Sequence, residues 1–407
     1  MDPMTAVHNA TNTTASAVEV TPAALLLSSV ALFLLALGPI FFGSLRSKQP
    51  QEKDDMEVVT SRSAAIFPII ASGALLSIYI VFKFLPTYYI NLLVNFYFSL
   101  LGTGAMVKLL SPMLRPLVPQ SVTNNLYKIE LTKSSETKAE NSSCGWKVIE
   151  NNSVECETRD VPGIVTGVVV GVWYFATRHW IANNCVAYSL AMLAIEYIKL
   201  NKFVNGCLLL GGLFFYDIFW VFGTPVMVSV AKSLDAPIKM SFPRDFLVRG
   251  FFGKEFAILG LGDIVVPGIF IAMLLRFDAS LQRKDSKLYF FTGYIAYVVG
   301  LLTTFIVMHV FKAAQPHHVL VTYPLFLPPS HKKPALLYLV PACLGSPLFL
   351  AWIKGDIKAM LAYEDVPEHQ EPTQENSAKT SETKVLDQTQ SVGTTSNSSK
   401  DKEKKVN

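Results

Sequence analysis

The sequence predicts an all-α membrane protein in which nine helices cross the bilayer. Apolar residues make up 51% of the chain and charged residues only 16%, whereas a soluble protein carries about 25% charged residues. Apolar runs of roughly 20 residues, long enough to span the hydrocarbon core, recur along most of the chain. The charged residues gather between these runs, as is typical of a multi-pass membrane protein.

The apolar runs divide most of the chain into nine predicted spans. They cover residues 22–44, 64–85, 89–112, 162–178, 181–198, 204–230, 255–276, 288–311 and 334–353. The first span follows a segment, residues 1–21, that contains no Lys or Arg, and its apolar stretch is longer than the core of a signal peptide. We therefore expect this span to remain in the protein, which gives one membrane domain over residues 22–353.

Two polar segments lie outside the predicted spans. The loop over residues 114–160 is mixed in charge, and the tail over residues 364–407 is rich in Ser, Thr, Gln, Glu and Lys. Segments with so little apolar surface to bury cannot offset the entropy that ordering would cost them. We expect both to be mobile and the tail to be disordered.

The distribution of basic residues predicts the orientation of the chain. The N-terminal segment has no Lys or Arg, whereas the next loop carries Arg46, Lys48, Lys53 and Arg62. Because basic residues are retained on the cytosolic side, we expect the N-terminus in the lumen and, after nine crossings, the tail in the cytosol. The basic loop between the sixth and seventh spans departs from this rule, since it would be lumenal.

Two aspartates lie inside apolar spans, Asp217 in 204–230 and Asp263 in 255–276. An ionisable group at membrane depth costs about 2.5–3.5 kcal/mol on insertion scales, so such residues mark functional sites. Two neighbouring carboxyl groups share one proton, so that one can act as a general base on water while the other donates to a carbonyl. This chemistry suits peptide hydrolysis, but it suits a proton-coupled transporter equally well.

The sequence next to Asp263 weakens a regular helix. Gly260 and Gly262 carry no side chain, which permits close approach of another backbone, and Pro267 has no N–H to bond the Asp263 carbonyl. Irregular backbone at membrane depth is tolerated only where it is packed in protein or lines a water-filled cavity. Hydrolysis needs such water, so the pattern favours a site around Asp263.

Three short motifs carry a resemblance to a known family. They are Tyr216-Asp217, Gly260-Leu261-Gly262-Asp263 and Pro334-Ala335-Leu336, in this order on apolar spans. Together they resemble the signatures of the intramembrane aspartyl proteases, the family of presenilin and signal peptide peptidase. The resemblance is closer to the signal peptide peptidase branch and continues outside the motifs, for example in His179-Trp180-Ile-Ala-Asn-Asn184.

The resemblance implies a fold, an activity and roles for these residues. It implies the nine-helix fold of the presenilin and signal peptide peptidase type, with Asp217 and Asp263 as the catalytic pair. The residues that it implies shape the site are Tyr216, Gly260, Leu261, Gly262, Pro334, Ala335 and Leu336. The implied partners are the lipid bilayer and membrane-embedded segments of type II orientation, such as signal peptides left after signal peptidase cleavage. We expect no metal, no soluble cofactor and no nucleic acid.

One segment departs from the family pattern. Relatives run from a Gln-Pro pair straight into Ala-Leu-Leu-Tyr, but here residues 317–333 intervene between Gln315-Pro316 and Pro334. The segment is apolar yet broken by prolines and too short for another span, so we expect a loop. A splice variant or a flawed gene model would explain it. Because the loop could displace the Pro334 turn, a catalytically impaired variant is an alternative to an active protease.

Residues near both ends of the chain predict its location. Asn9 and Asn12 open glycosylation acceptor sequences on the side expected to be lumenal. Lys404 and Lys405 match a dilysine retrieval signal on the side expected to be cytosolic. These features predict a glycoprotein of the endoplasmic reticulum membrane.

A stripe of small residues predicts close helix packing. Gly163, Gly167 and Gly171 recur every four residues, a spacing that lets two helices approach closely. We expect the stripe to pack within the bundle, with a homo-oligomer contact as the alternative. The cysteine spacing indicates neither a disulfide framework nor a metal site.

Overall fold

The computed structural model describes most of the membrane domain. The described residues are 22–48, 57–119, 125–136, 146–224, 226–234, 236–253, 255–281, 283, 287–313 and 336–365. The segment 317–333 and the tail beyond residue 365 lie outside them.

The described part of the chain is mostly helical. In chain order the helices are α1 Pro22–Ser47, α2 Ser61–Phe84, α3 Thr87–Leu114, α4 Val161–Thr177, α5 Trp180–Tyr197, α6 Phe203–Gly223, α7 Val226–Ser233, α8 Phe246–Arg249, α9 Gly262–Ser280, α10 Leu288–Ala313, α11 Leu336–Lys354 and α12 Ile357–Leu361. Those long and apolar enough to cross a membrane number seven, namely α1, α2, α3, α4, α6, α10 and α11. The prediction of a helical multi-pass membrane protein is therefore confirmed.

Two of the predicted spans form helices that fall outside this apolar set. In α5 the adjacent amides Asn183 and Asn184 lower the mean hydropathy, and α9 carries the charged residues Asp263, Arg276 and Asp278. Both helices pack inside the bundle, where a less apolar surface is tolerated. The count of nine spans stays a prediction.

Short strands pair in three two-stranded sheets. β1 (Glu57–Val59) pairs in parallel with β4 (Ile198–Leu200). β2 (Leu126–Glu136) and β3 (Trp146–Glu157) are antiparallel, as are β5 (Lys239–Pro243) and β6 (Phe256–Gly260). The third pair leads directly into the helix that carries Asp263.

The polar segment 114–160 contains a pair of strands where the sequence predicts only a loop. Residues 126–136 and 146–157 form the β2–β3 hairpin. The sequence Tyr-Lys-Ile-Glu-Leu-Thr from Tyr127 alternates apolar and polar residues, which is the strand period. The overall polarity of the segment concealed this alternation.

The span predicted over 204–230 is interrupted. Helix α6 ends at Gly223, Thr224 is extended with φ −143° and ψ 152°, and α7 begins at Val226. Pro225 explains the break, because the residue before a proline is displaced from helical geometry and the proline has no N–H for the preceding turn.

The span predicted over 255–276 begins later than expected. Residues 256–260 form strand β6, and helix α9 starts only at Gly262. The two glycines on either side of Leu261 disfavour a helix, whereas pairing with β5 supplies partners for the β6 backbone. Asp263 therefore lies in the first turn of its helix.

Helix α9 forms the centre of the bundle. Its residues from Ile269 to Phe277 are buried, and α1, α5, α6, α10 and α11 all contact it. Glycines allow two of these contacts, since a side chain at Gly268 would collide with Ile195 of α5 and one at Gly206 of α6 with Phe270. The position of α9 thus depends on neighbours from both halves of the chain.

The C-terminal part of α9 is held by a buried cation, Arg276. The Arg276 guanidinium donates to Asp365 Oδ2 over 2.6 Å and to the hydroxyl of Ser47 in α1. The backbone N–H of Asp365 in turn donates to the Asn201 carbonyl over 2.7 Å. Residues just before the tail therefore fix the end of the central helix.

The glycine stripe packs within the bundle. Side chains at Gly163, Gly167 and Gly171 would collide with Ser111, Val107 and Thr103 of α3, respectively. The hydroxyl of Ser99 in α3 also donates to the Gly171 carbonyl over 3.1 Å. The packing interpretation of the stripe is confirmed, because α3 occupies its face.

We predict that Gly163→Ala destabilises the bundle. A Cβ at this position would lie 2.7 Å from Ser111 Cα and 2.8 Å from its backbone nitrogen, so the backbone of α3 would have to move. We expect a loss of about 1–3 kcal/mol in the free energy of unfolding, measured by denaturation in mixed micelles. The matched control is Gly104→Ala, because a Cβ there meets no atom within 4 Å. Equal losses in the two variants would contradict the packing role.

Candidate active site

Helix α6, which carries Asp217, is fixed against α2 by residues on either side of the aspartate. Gly212 lies against the ring of Pro68, where a side chain would collide, and Trp220 Nε1 donates to Ser72 Oγ over 3.0 Å. These contacts lie five residues before and three residues after the aspartate. Asp217 itself is 5% exposed, so its carboxyl group is enclosed by protein.

Helix α9 presents Asp263 from its first turn, directly after strand β6. The N–H of Leu261 donates to the Ile238 carbonyl over 2.9 Å, which fixes the connection between strand and helix. A Cβ at Gly260 would lie 3.5 Å from Asp263 Oδ2, so this glycine borders the carboxyl group. The predicted Gly-Leu-Gly-Asp motif is thus the junction of a strand and a helix.

The two aspartates come together where α6 and α9 meet. Their carboxyl groups lie close enough to interact electrostatically. Two carboxyl groups that interact in this way favour a state in which one is ionised and the other protonated. The site can therefore offer a base and an acid side by side.

The start of α11 adjoins the same carboxyl groups. The backbone N–H of Leu336 donates a hydrogen bond to the Asp217 carboxyl group. The side chain of Leu336 is 9% exposed and belongs to the main core. The third predicted motif thus reaches the pair through Leu336, while Pro334 and Ala335 lie outside the described residues.

The comparisons with known proteins identify the family. A family model described as signal peptide peptidase matches residues 51–367. The chain belongs to the signal peptide peptidase family. Signal peptide peptidase of Mus musculus is 44% identical over 375 residues, covering 90% of this chain and 92% of the relative. The Homo sapiens protein is 45% identical over 349 residues, covering 85% of each chain.

A more distant relative is named as an intramembrane protease. Intramembrane protease 2 of Caenorhabditis elegans is 38% identical over 295 residues, covering 67% of this chain and 59% of the relative. The protein is therefore an intramembrane aspartic protease that acts on membrane-embedded substrates. This membership decides against the proton-coupled transporter.

Tyr216 lies beside the aspartate in this signal peptide peptidase family member. Its ring is partly buried and lies 6.4 Å from the Trp220 ring at a tilt of 54°. The tyrosine and Asp217 also interact electrostatically. The structure thus places Tyr216, Gly260 and Leu336 next to the two carboxyl groups, while Leu261 and Gly262 directly precede Asp263 in the chain.

Tyr297 of α10 lies near Asp263 although no sequence motif predicts it. Its side chain is fully buried, and its hydroxyl has no hydrogen-bond partner among the described residues. It interacts electrostatically with Asp263 of α9 and with Cys343 of α11, so it lies between these two helices. A single tyrosine in an apolar helix gives no sequence signal that separates this position from ordinary packing.

Several predicted features lie outside the described residues. They are Asn9, Asn12, the segment 317–333, Pro334, Ala335, Lys404 and Lys405. Their roles stay predictions. Within the described residues, no group of three or more His, Cys, Asp or Glu side chains could hold a metal ion.

We predict that Ser72→Ala loosens the helix that carries Asp217. The change removes the acceptor of the Trp220 N–H, and a buried donor without a partner costs about 1–3 kcal/mol. We expect the free energy of unfolding to fall by about that amount. Ser77→Ala is the control, because Ser77 is exposed on the same helix. An equal effect of both changes would argue against the α2–α6 hydrogen bond.

Proposed function

We propose that Asp217 and Asp263 are the catalytic pair of this intramembrane protease. The proposal is supported by the meeting of two carboxyl groups from separate helices, Asp217 being buried and Asp263 half-buried. One of them is held by a backbone N–H, that of Leu336. A shared proton lets one carboxylate take a proton from water while the other carboxylic acid donates to the peptide carbonyl oxygen.

Hydrolysis then proceeds without a covalent enzyme intermediate. The water oxygen bonds to the carbonyl carbon, its proton passes to the carboxylate, and the carbonyl oxygen takes the proton of the acid. The C–N bond of the resulting tetrahedral diol breaks as the leaving nitrogen receives a proton from the carboxyl group that was the base. The new carboxyl product returns a proton to the other aspartate, which restores the shared-proton state.

We propose supporting roles for the residues around the pair. Gly260 and Gly262 leave space beside Asp263 for a substrate backbone, and Leu261 holds the junction through Ile238. Leu336 holds Asp217, and Tyr216 forms the wall beside it. Pro334 and Ala335 are proposed to guide the substrate because they precede Leu336 directly.

The proposed substrates are membrane-spanning segments of type II orientation, such as signal peptides left after signal peptidase cleavage. The names of the mouse and human relatives support this proposal. We further propose residence in the endoplasmic reticulum, with a lumenal N-terminus glycosylated at Asn9 and Asn12 and a cytosolic tail retrieved through Lys404 and Lys405. The absence of basic residues from residues 1–21 supports this orientation.

We predict that Asp217→Asn and Asp263→Asn each reduce cleavage at least about 100-fold, because an amide can act neither as the base nor as the proton donor. The measurement is cleavage of a synthetic type II signal peptide by the purified protein in detergent, followed by mass spectrometry. Asp356→Asn is the control. Asp356 follows α11 in the chain and forms an ion pair with Arg283. Normal cleavage by either pair variant would refute the assignment.

The same assay tests the alternative that residues 317–333 make this chain a catalytically impaired variant. A chain without residues 317–334 joins Pro316 to Ala335 and restores the family's Gln-Pro-Ala-Leu-Leu. An active full-length chain supports the proposed function as it stands. If only the shortened chain cleaves the peptide, the segment 317–333 impairs catalysis.

We predict glycans on Asn9 and Asn12 but none on Asn141 or Asn151, because the charge distribution places their loop in the cytosol. Removing glycans with an endoglycosidase should increase gel mobility in the parent chain. The double variant Asn9→Gln and Asn12→Gln should show no further increase. A glycan retained by that variant and lost with Asn141→Gln or Asn151→Gln would overturn the predicted number of spans before this loop.

A further inference from the structure

The first turns of α5 bind the backbone of strand β5. Asn184 Oδ1 accepts from the Ser241 N–H over 2.9 Å, and its Nδ2 donates to the Ser241 carbonyl over 2.7 Å. Asn183 Nδ2 donates to the Lys239 carbonyl over 2.8 Å. Both amide side chains are buried. Two asparagines therefore occupy the outer edge of the strand with three well-formed hydrogen bonds.

Trp180 holds the same hairpin further along. Its Nε1 donates to the Phe251 carbonyl over 2.9 Å, and its ring stacks on the Phe251 ring at 6.4 Å. It also meets the Phe242 ring edge-on at 5.4 Å. Trp180, Asn183 and Asn184 are here called the α5 clamp. They belong to the motif His179–Asn184, which contributes to the family resemblance but has no role assigned above.

The β5–β6 strand pairing connects the clamp to the segment that leads into Asp263. Lys239 pairs with Gly260 and Ser241 pairs with Ile258 across the β5–β6 sheet. Strand β6 ends at Gly260, three positions before Asp263. A displacement of β5 would therefore be passed to the first turn of α9.

That first turn has little support of its own. Leu261 at its N-cap makes no side-chain capping hydrogen bond, and Gly260 and Gly262 give the junction a flexible backbone. The other end of α5 packs on the body of α9, where Ile195 meets Gly268. Helix α5 thus holds both the body of α9 and the hairpin that leads into it.

We propose that the α5 clamp is a set of positioning residues that keeps Asp263 in catalytic register with Asp217. The inference rests on the proposed assignment of Asp263 to the catalytic pair. A misplacement of about 1 Å at a catalytic group can cost about 100-fold in rate. The clamp touches neither the substrate nor the reacting atoms, so its loss should change turnover and leave substrate affinity alone.

Asn184→Leu tests the clamp by removing both bonds to Ser241. We expect kcat for the synthetic signal peptide to fall at least about 10-fold while KM stays within about twofold. Asn95→Leu is the matched control, since Asn95 is a buried asparagine of α3 that accepts from the Tyr174 hydroxyl over 2.7 Å. The control should lower thermal stability and keep the parent kcat.

Asn184→Asp gives a readout that a merely structural role would not produce. A protonated carboxyl group can make both bonds to Ser241, whereas the ionised form cannot donate to the Ser241 carbonyl. The ratio of variant to parent kcat should therefore fall as the pH rises. This variant also decides the matter if Asn184→Leu fails to fold.

Three results would overturn the inference. They are an unchanged kcat in folded Asn184→Leu, a rise in KM alone, and a ratio for Asn184→Asp that does not depend on pH. Asp263→Asn is measured beside them. If Asp263→Asn is inactive and Asn184→Leu is normal, only the clamp is refuted, whereas an active Asp263→Asn would refute the catalytic assignment itself.

Discussion

The bundle depends on keeping two carboxyl groups away from lipid. An ionisable group at membrane depth is tolerated where protein or water surrounds it. Asp217 is 5% exposed, and the helix that carries Asp263 is covered by five others in the described part of the chain. This enclosure explains why α9 holds three charged residues that a lipid-facing helix could not hold. It also makes the irregular backbone before Asp263 tolerable, because β5 supplies its hydrogen bonds.

Sequence reasoning found the features that depend on local patterns. Hydropathy located the long helices, and the placement of Asp217 and Asp263 in apolar runs predicted that the two would meet. The glycines around Leu261 correctly indicated irregular backbone. Family membership, shown by the comparisons, agrees with the three motifs on which the resemblance depended.

The features that sequence reasoning missed depend on contacts between distant segments. The start of α9 at Gly262 follows from the pairing of residues 239–243 with 256–260, and hydropathy cannot reveal such pairing. The contacts of Asn184 with Ser241 and of Leu336 with Asp217 join segments that lie far apart in the chain. Pro225, by contrast, was a visible signal, and the long apolar run around it hid the break after α6.

The hydrogen bond from Leu336 also bears on when the enzyme becomes complete. Both aspartates are translated well before α11, yet Asp217 takes its backbone donor from the first residue of α11. The C-terminal part of α9 is fixed later still, through the contact of Arg276 with Asp365. A nascent chain therefore holds its acidic residues in the membrane before the site is assembled. The surroundings of the two carboxyl groups are therefore completed by the last residues of the described chain, long after both aspartates have been added.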